Sequence, residues 1–168
     1  MAEELMDPVR SEDASDTADD FLQLVSFRMG HEEFGVDILL VREINRMVEI
    51  AQVPKSPEYV EGIINLRGKV IPIVNLRLRM GLPEKENNKD TRIVVVELED
   101  QLIGFVVDAV SEVLRIPRNI TEPPPETATG IDAEFITGIA KMEDRLLILL
   151  NLNRLLSIAE REALRKAA

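Results

Sequence analysis

Short apolar runs separated by glycine, proline and asparagine are the feature that most constrains the fold of this chain. From residue 21 to residue 150, roughly nine such runs are rich in Val, Ile, Leu and Phe and are bounded by turn-forming residues. Because little helical periodicity extends across them, they are predicted to be strands. With 45% hydrophobic residues to fill a core, the pattern predicts an all-β barrel or sandwich.

A polar segment at residues 84–90 is the best internal boundary. It divides the apolar runs into two groups, and we predict a first small barrel over about 21–83 and a second over about 91–156. A unit of ~60 residues buries only about 60% of the surface that its unfolded chain exposes. Neither barrel could form a sufficient core alone, so the two should share an interface.

The two ends of the chain predict different structures. Residues 1–20 are strongly acidic, with Arg10 as the one basic residue, and they predict a disordered acidic tail whose role stays open. Ser157 and Glu160 match a capping box, which predicts a C-terminal helix over 157–168.

Three local features refine the first half of the chain. Residues 21–36 predict a hairpin with Gly30 near its bend. Asp37 is predicted to cap a helical turn that continues through Ile44. Pro72 falls within an apolar run, and because proline cannot donate a ladder hydrogen bond, that strand is predicted to be an edge or to carry a bulge.

The charge of the chain limits its partners. A formal net charge of -11 and a pI near 4.6 argue against nucleic acid and against an anionic membrane surface. The acidic N-terminus is the reverse of a signal peptide, and no apolar run reaches the ~18 residues that span a bilayer. We therefore expect a cytoplasmic protein without direct membrane insertion.

The usual residue sets for catalysis and cofactor binding are missing from the sequence. There is no cysteine, and His31 is the one histidine, interpreted as a solvated turn residue. No glycine-rich nucleotide loop is present, so no cofactor is predicted. With one histidine and no cysteine, no metal site is predicted either. Glu97 and Glu99 would share one face of a strand, which is more often a solvated face than an acid–base pair. A carboxylate-dependent hydrolase using Glu97 and Asp108 stays as the alternative from another class, and a small-molecule binder also stays open.

Packing alone does not explain the residue types in the turn at residues 65–69. Gly68 can adopt positive φ without a Cβ clash, which suits a tight bend between two apolar runs. Arg67 would then stand at the tip of a rigid hairpin and point outward. Such a residue is typical of a contact with a partner and not of a catalyst in a cleft.

Three segments together resemble the CheW family of bacterial chemosensory adaptors. They are FGVDI at 34–38 followed by Val41 and residues 43–44, then YVEGIINLRGKVIP at 59–72, and GFVVD at 104–108 followed by Val110 and Val113. The resemblance covers approximately residues 21–156. Asn75 departs from it, since an aspartate is usual at that position.

The resemblance implies a fold of two five-stranded, SH3-like β-barrels that share a hydrophobic interface. It also implies no catalytic activity. Members couple the histidine kinase CheA, through its CheW-like regulatory domain, to the cytoplasmic tips of methyl-accepting chemoreceptors, and are recruited to membrane-associated arrays. An adaptor of a related chemosensory system, controlling surface motility or gene expression, is the alternative within the same class.

The family's receptor-binding surface corresponds here to Val41, Glu43, Gly62, Arg67 and Gly68, while its kinase-binding residues stay unassigned. Each of the five also has a simpler interpretation. Val41, like Ile44, could belong to the core, and the two glycines could serve backbone geometry alone. Glu43 could pair with a neighbouring arginine, and Arg67 could be a solvated turn residue.

Overall fold

The computed structural model describes residues 20–124, 135–156, 160 and 164. The predicted tail at 1–20, apart from Asp20, and most of the predicted helix at 157–168 lie outside these residues. The strands are β1 Phe21–Met29, β2 Glu32–Asp37, β3 Val41–Arg46, β4 Val60–Leu66, β5 Lys69–Asn75, β6 Arg92–Leu98, β7 Gln101–Val107, β8 Ala109–Pro117, β9 Thr121–Glu122, β10 Ile136–Lys141 and β11 Leu146–Leu150. The helices are α1 Leu76–Arg79 and α2 Leu152–Leu155, with 3₁₀ turns at Ile38–Leu40 and Arg118–Ile120.

Strands β3 to β7 form what we call the central barrel, with the strand order β3-β6-β7-β5-β4. The chain beyond β3 returns to the far edge of this sheet, where Ala51 pairs with Ile63 of β4. The segment that starts as β3 therefore borders both β6 and β4. This second pairing closes five strands into a barrel.

The remaining strands form the flanking barrel, with the order β9-β10-β11-β2-β1-β8. Only the 3₁₀ turn Arg118–Ile120 separates β8 from β9, so the two are halves of one bent strand. One half pairs with β1 and the other with β10. The sheet is again closed by five strands, and the prediction of an all-β fold with two small barrels is confirmed.

The barrels do not follow the predicted division of the chain at residues 84–90. Strands β1 and β2 join the barrel built from residues 109–150, and β6 and β7 join the one built from residues 41–75. Each barrel is completed by a parallel pair, β2 with β11 and β5 with β7. Parallel partners need long connections and lie far apart in the chain, so local patterns do not reveal them.

The boundary at 84–90 instead separates two internal repeats. Residues 59–80 align with residues 135–156 without a gap, so that Gly62 matches Gly138 and Asn75 matches Asn151. Both hairpins carry a bulge just before the matched glycine. The backbone N–H of Asn75 donates to Tyr59 over 2.7 Å, and that of Asn151 donates to Phe135 over 2.8 Å.

The strands before these hairpins repeat as well. The hairpin β1–β2 corresponds to β6–β7, and β3 corresponds to β8, with bulges at the matching positions Arg42 and Ser111. In the parallel pairs, Gly104 lies opposite Ile73 and Gly35 opposite Leu149. Each barrel thus contains the first hairpin of the other repeat. The two repeats therefore exchange their first hairpins.

The largest group of buried apolar side chains lies between the two barrels. Val25, Phe27 and Phe34 of the flanking barrel pack there with residues of the central barrel such as Val94 and Phe105. Alternate residues face the barrel interiors, which are separate clusters. Strands β1 and β6 are therefore buried on both faces, and the predicted shared interface is confirmed.

Two local predictions were wrong. Asp37 caps only the three residues Ile38–Leu40, and the predicted continuation through Ile44 is strand β3, because its backbone pairs with β6. Strand β5 is neither an edge nor bulged at Pro72, since it lies between β4 and β7 and its register with β4 is unbroken at that residue. Pro72 is tolerated because the pairing of β5 with β7 begins one residue later, at Ile73.

The Asn75 side chain makes two hydrogen bonds. Its Oδ1 caps α1 by accepting a hydrogen bond from Leu78 N over 3.1 Å, and its Nδ2 donates to Glu61 Oε1 over 2.7 Å. Asn151 also caps α2, by accepting a hydrogen bond from Asn153 N over 3.0 Å, but the residue corresponding to Glu61 is Thr137. An aspartate could serve as the cap at either place, but only at Asn75 would it face a carboxylate.

Glu160 contacts the central barrel through Arg79. Its Oε1 lies 3.1 Å from Arg79 Nη2, and the Arg79 guanidinium stands 5.6 Å from the centre of the Tyr59 ring. Burial, together with a hydrogen bond to Glu160, raises the pKa of Tyr59 to about 12. The ionisation of Tyr59 thus reports on its contact with Glu160.

We expect Asn75→Asp to destabilise the protein at pH 7.5 by about 1–3 kcal/mol, because two carboxylates would meet and a buried hydrogen bond would be lost. Protonation of either carboxylate removes the repulsion, so the loss should shrink as the pH falls towards 5. Asn151→Asp is the matched control and should change the urea midpoint little at either pH. Equal losses in both variants would contradict the role given to Glu61.

We expect the single tyrosine to ionise in the folded protein near pH 12, against about 10 in urea, when followed by its phenolate absorbance. The folded pKa is the higher one, so this contribution to stability is complete below pH 10 and is lost as the pH rises towards 12. Glu160→Gln should lower the folded pKa. Glu58→Gln, beside Tyr59 in sequence, serves as the control, and identical titrations of the two variants would exclude the contact.

Candidate functional site

The hairpin between β4 and β5 presents the residue that the sequence singles out. Leu66 pairs with Lys69, so Arg67 and Gly68 form a two-residue turn. Both have positive φ, 51° at Arg67 and 86° at Gly68, as a type I′ turn requires. The side chain of Asn65 accepts a hydrogen bond from Gly68 N over 2.9 Å and fixes the bend.

Arg67 occupies a backbone conformation that its side chain disfavours. A left-handed conformation costs an ordinary residue roughly 1–2 kcal/mol, and type I′ turns prefer Asn, Asp or Gly at this position. The local fold would therefore be more stable with another residue. Lys55, Glu99 and Asp100 also have positive φ, so the backbone conformation marks a tight turn and does not by itself distinguish Arg67.

Glu43 of β3 holds the Arg67 side chain. The Arg67 guanidinium donates a hydrogen bond to Glu43 Oε2. This contact, with a smaller one from Asn45, lowers the pKa of Glu43 and keeps the carboxylate charged. The Arg67 side chain is nevertheless 72% exposed, against 24% for Glu43. The pair orients a guanidinium that stays accessible.

A cavity of about 350 Å³ lies beside this ion pair. Its apolar lining comes from four side chains and its charged lining from five, and Glu43 and Arg67 are the two predicted site residues among them. The lining residues are Arg42, Glu43, Leu66, Arg67, Lys69, Ile71, Val95, Glu97 and Leu102. The site is an open groove with an apolar floor and a charged rim.

The other predicted residues have structural roles or lie beside the groove. Val41 is half-buried and packs against the shared core. Gly62 is buried with φ 146°, and a Cβ there would approach Ala51 O to 2.1 Å. Gly68 is exposed, with no atom within 4 Å of an added Cβ. The groove thus brings together Glu43 and Arg67, with Gly68 next in the turn, but not Val41 or Gly62.

Exposed apolar residues were missed by the sequence reasoning. Ile44, for which the core was the simpler interpretation, is 39% exposed on β3, and Val70 at the start of β5 is 45% exposed. Leu39, in the turn before β3, is 77% exposed. The alternation along β3 could have revealed Ile44, had the segment not been interpreted as helical.

The carboxylates of the hydrolase hypothesis are each paired with a cation. Glu97 accepts a hydrogen bond from Arg42 Nε over 2.8 Å, and Asp108 accepts one from Arg77 Nη1 over 2.5 Å. Among the described residues, no group of three or more acidic or histidine side chains could hold a metal ion. In the same residues, no helix is long and apolar enough to cross a membrane. Because both carboxylates are paired with arginines, their geometry gives the hydrolase hypothesis no support.

Known proteins that are similar in sequence or structure are chemotaxis and scaffolding proteins. Residues 23–160 match the family model of the CheW-like domain. The chain is 40% identical over 138 residues to the chemotaxis protein CheW of Helicobacter pylori, over 82% of this chain and 83% of that protein. It is 35% identical over 150 residues to the chemotaxis protein CheW of Treponema pallidum, over 87% and 88% respectively.

The crystal structure of the scaffolding protein TtCheW from Thermoanaerobacter tengcongensis is similar to this fold. The TM-score is 0.75 at 43% sequence identity, over 82% of this chain and 93% of that one. Sequence and structure comparisons therefore point to the same group of proteins.

We expect Gly62→Ala to destabilise the protein by at least about 3 kcal/mol, because the new Cβ meets the backbone that closes the central barrel. Gly68→Ala is the matched control, with positive φ but open space, and should cost about 1–2 kcal/mol. Thermal unfolding measures both. Similar losses would show that the close approach to Ala51 is not what requires glycine at position 62.

Proposed function

The chain belongs to the CheW family of chemotaxis adaptors, and on that premise we propose that it couples the histidine kinase CheA to the cytoplasmic tips of methyl-accepting chemoreceptors. It contacts the kinase through the kinase's CheW-like regulatory domain. It acts by holding these partners together and carries out no catalysis of its own. It works in the cytoplasm, at receptor arrays beside the membrane.

The observation that carries the receptor assignment is the exposed arginine that Glu43 holds in place. The hairpin holds Arg67 at a fixed place, and Glu43 directs its guanidinium while leaving most of it accessible. A planar guanidinium can give two parallel hydrogen bonds to a carboxylate, which lysine cannot reproduce. Arg67 is therefore the residue that recognises an acidic or carbonyl group on the receptor.

The groove beside Arg67 suits a helical partner. Its apolar floor, formed with Leu66 and Ile71, can accept one apolar stripe of a helix, and its charged rim can meet the polar flanks. Exposed Ile44 and Val70 extend the apolar surface on the neighbouring strands. A chemoreceptor tip is a helical hairpin, and this is the recognition mode that we assign to it.

We expect Arg67→Glu to weaken the binding of a receptor signalling fragment at least ~10-fold, because the exposed guanidinium is replaced by a carboxylate that also repels Glu43. Binding of the kinase regulatory domain should be retained. Calorimetric titration of the purified, folded variant with each partner measures both affinities. Unchanged receptor affinity would refute the site.

Two control variants separate contact from structure. Exchanging the charges, with Glu43→Arg and Arg67→Glu together, restores an ion pair but not a guanidinium at the turn, so receptor binding should stay weak. Arg67→Asn suits the type I′ turn and should unfold at the same temperature or higher, yet also bind weakly. Recovery of receptor binding in the exchanged variant would assign the pair a structural role.

A further inference from the structure

The chain crosses between the two barrels at two places within the described residues. The 3₁₀ turn Ile38–Leu40 leads from β2 in the flanking barrel to β3 in the central barrel. The single residue Asp108 leads back, between β7 and β8. The two crossovers occupy corresponding places in the repeats, but their contacts differ.

Asp108 is tied to the hairpin of the flanking barrel. Its backbone N–H donates to Arg28 O over 3.1 Å, and its Oδ2 accepts a hydrogen bond from Gly30 N over 2.7 Å. Gly30 is the bend of the β1–β2 hairpin, with φ 64°. The crossover and the exchanged hairpin are thereby fixed to each other.

The same carboxylate is tied to the central barrel through Arg77. Arg77 Nη1 donates to Asp108 Oδ2 over 2.5 Å, and Arg77 Nε donates to Pro83 O over 2.7 Å. Lys85 Nζ stands 3.8 Å from the same oxygen. The Asp108 and Arg77 side chains are only 11% and 14% exposed. One shielded ion pair thus joins α1, the inter-repeat segment and the flanking hairpin.

Among the described residues, the side-chain hydrogen bonds of the other crossover are local, while Ile38 and Leu40 pack against the apolar cluster between the barrels. Asp37 Oδ1 accepts from Leu39 N over 2.9 Å, and Arg42 Nη1 donates to Leu39 O over 3.4 Å. Leu39 is 77% exposed. The residue that corresponds to Arg77 in the second repeat is Asn153, which carries no charge. Among the described residues, the position matching Arg77 therefore holds no counterpart of this ion pair.

From this asymmetry we propose that Asp108 is a positioning residue that fixes the orientation of the two barrels relative to each other. The apolar interface between them resists separation, but hydrophobic contact is non-directional. A shielded ion pair with several hydrogen bonds has one favourable geometry and supplies the missing direction. Resting on the proposed function, this orientation sets how the scaffold presents its two partners to each other.

Distances between the barrels test the proposal directly. The full-length chain has no cysteine, so Gln52→Cys in the central barrel and Glu143→Cys in the flanking barrel allow two spin labels. Asp108→Asn should shift or broaden the distance distribution measured by electron spin resonance. Glu122→Gln breaks the ion pair with Lys141 inside the flanking barrel and is the matched control, expected to leave the distribution unchanged. An unchanged distribution in folded Asp108→Asn would overturn the proposal.

A milder variant covers the case in which Asp108→Asn does not fold. Arg77→Lys keeps the charge but cannot bond Asp108 and Pro83 O together, and it should also alter the distribution. Asp108→Glu retains the carboxylate, so its distance distribution should lie between those of Asp108→Asn and the parent protein. Parental distances in Arg77→Lys would overturn the proposal as well.

The functional consequence has its own readout. In a reconstituted mixture of kinase, receptor fragment and adaptor, Asp108→Asn should lower receptor-dependent kinase activity at least ~10-fold while each pairwise affinity changes less than ~3-fold. Altered distances with full coupled activity would overturn the positioning role. Failure of the parent protein to bind either partner would instead refute the proposed function and leave the distance result standing.

Discussion

The apolar contact between the two barrels is the interaction on which the rest of the structure depends. Each barrel has its own interior cluster, but the largest cluster lies between them and includes Phe27, Val94 and Phe105. Strands β1 and β6 contribute to it with one face and to a barrel interior with the other, which gives them near-continuous apolar sequences. Each fully buried side chain of this size stabilises the fold by roughly 1.5–3 kcal/mol. Small barrels that lack a sufficient core alone obtain one by sharing it.

Because the hairpins are exchanged, the chain itself connects the two barrels that share this core. Each repeat contributes its first hairpin to the other repeat's barrel, so neither barrel can be completed by one half of the chain. The repeats differ in the side chains at several matching positions. The turn of the first repeat carries the strained Arg67, and α1 carries Arg77, whereas the matching positions of the second repeat are Glu143 and Asn153. A symmetric architecture thus presents different side chains on its two sides.

Local structure could be predicted from the sequence more fully than the pairing of distant strands. The β1–β2 hairpin and the bend at Gly68 could be predicted, because turn residues and alternation act over a few positions. The helical interpretation of 38–44 was wrong, since apolar residues at spacing three cannot outweigh the pairing of β3 with β6. The exchange of hairpins had no local signal. At the site, the turn and its arginine were predicted, but the groove depends on Leu102 and Val95, which reach it from distant strands.

The strand order also dictates a sequence of events during synthesis. The central barrel is built from residues 41–107 without interruption, whereas the hairpin β1–β2 must wait for β8 and then for β11 at Leu146–Leu150. At ~5–20 residues per second, that wait lasts on the order of ten seconds. Val25 and Phe27 belong to the cluster between the barrels, and the central-barrel side of that cluster is complete once β7 has been made. The newly completed central barrel is the first apolar surface that they meet, so the first half of the fold acts as a template for the second.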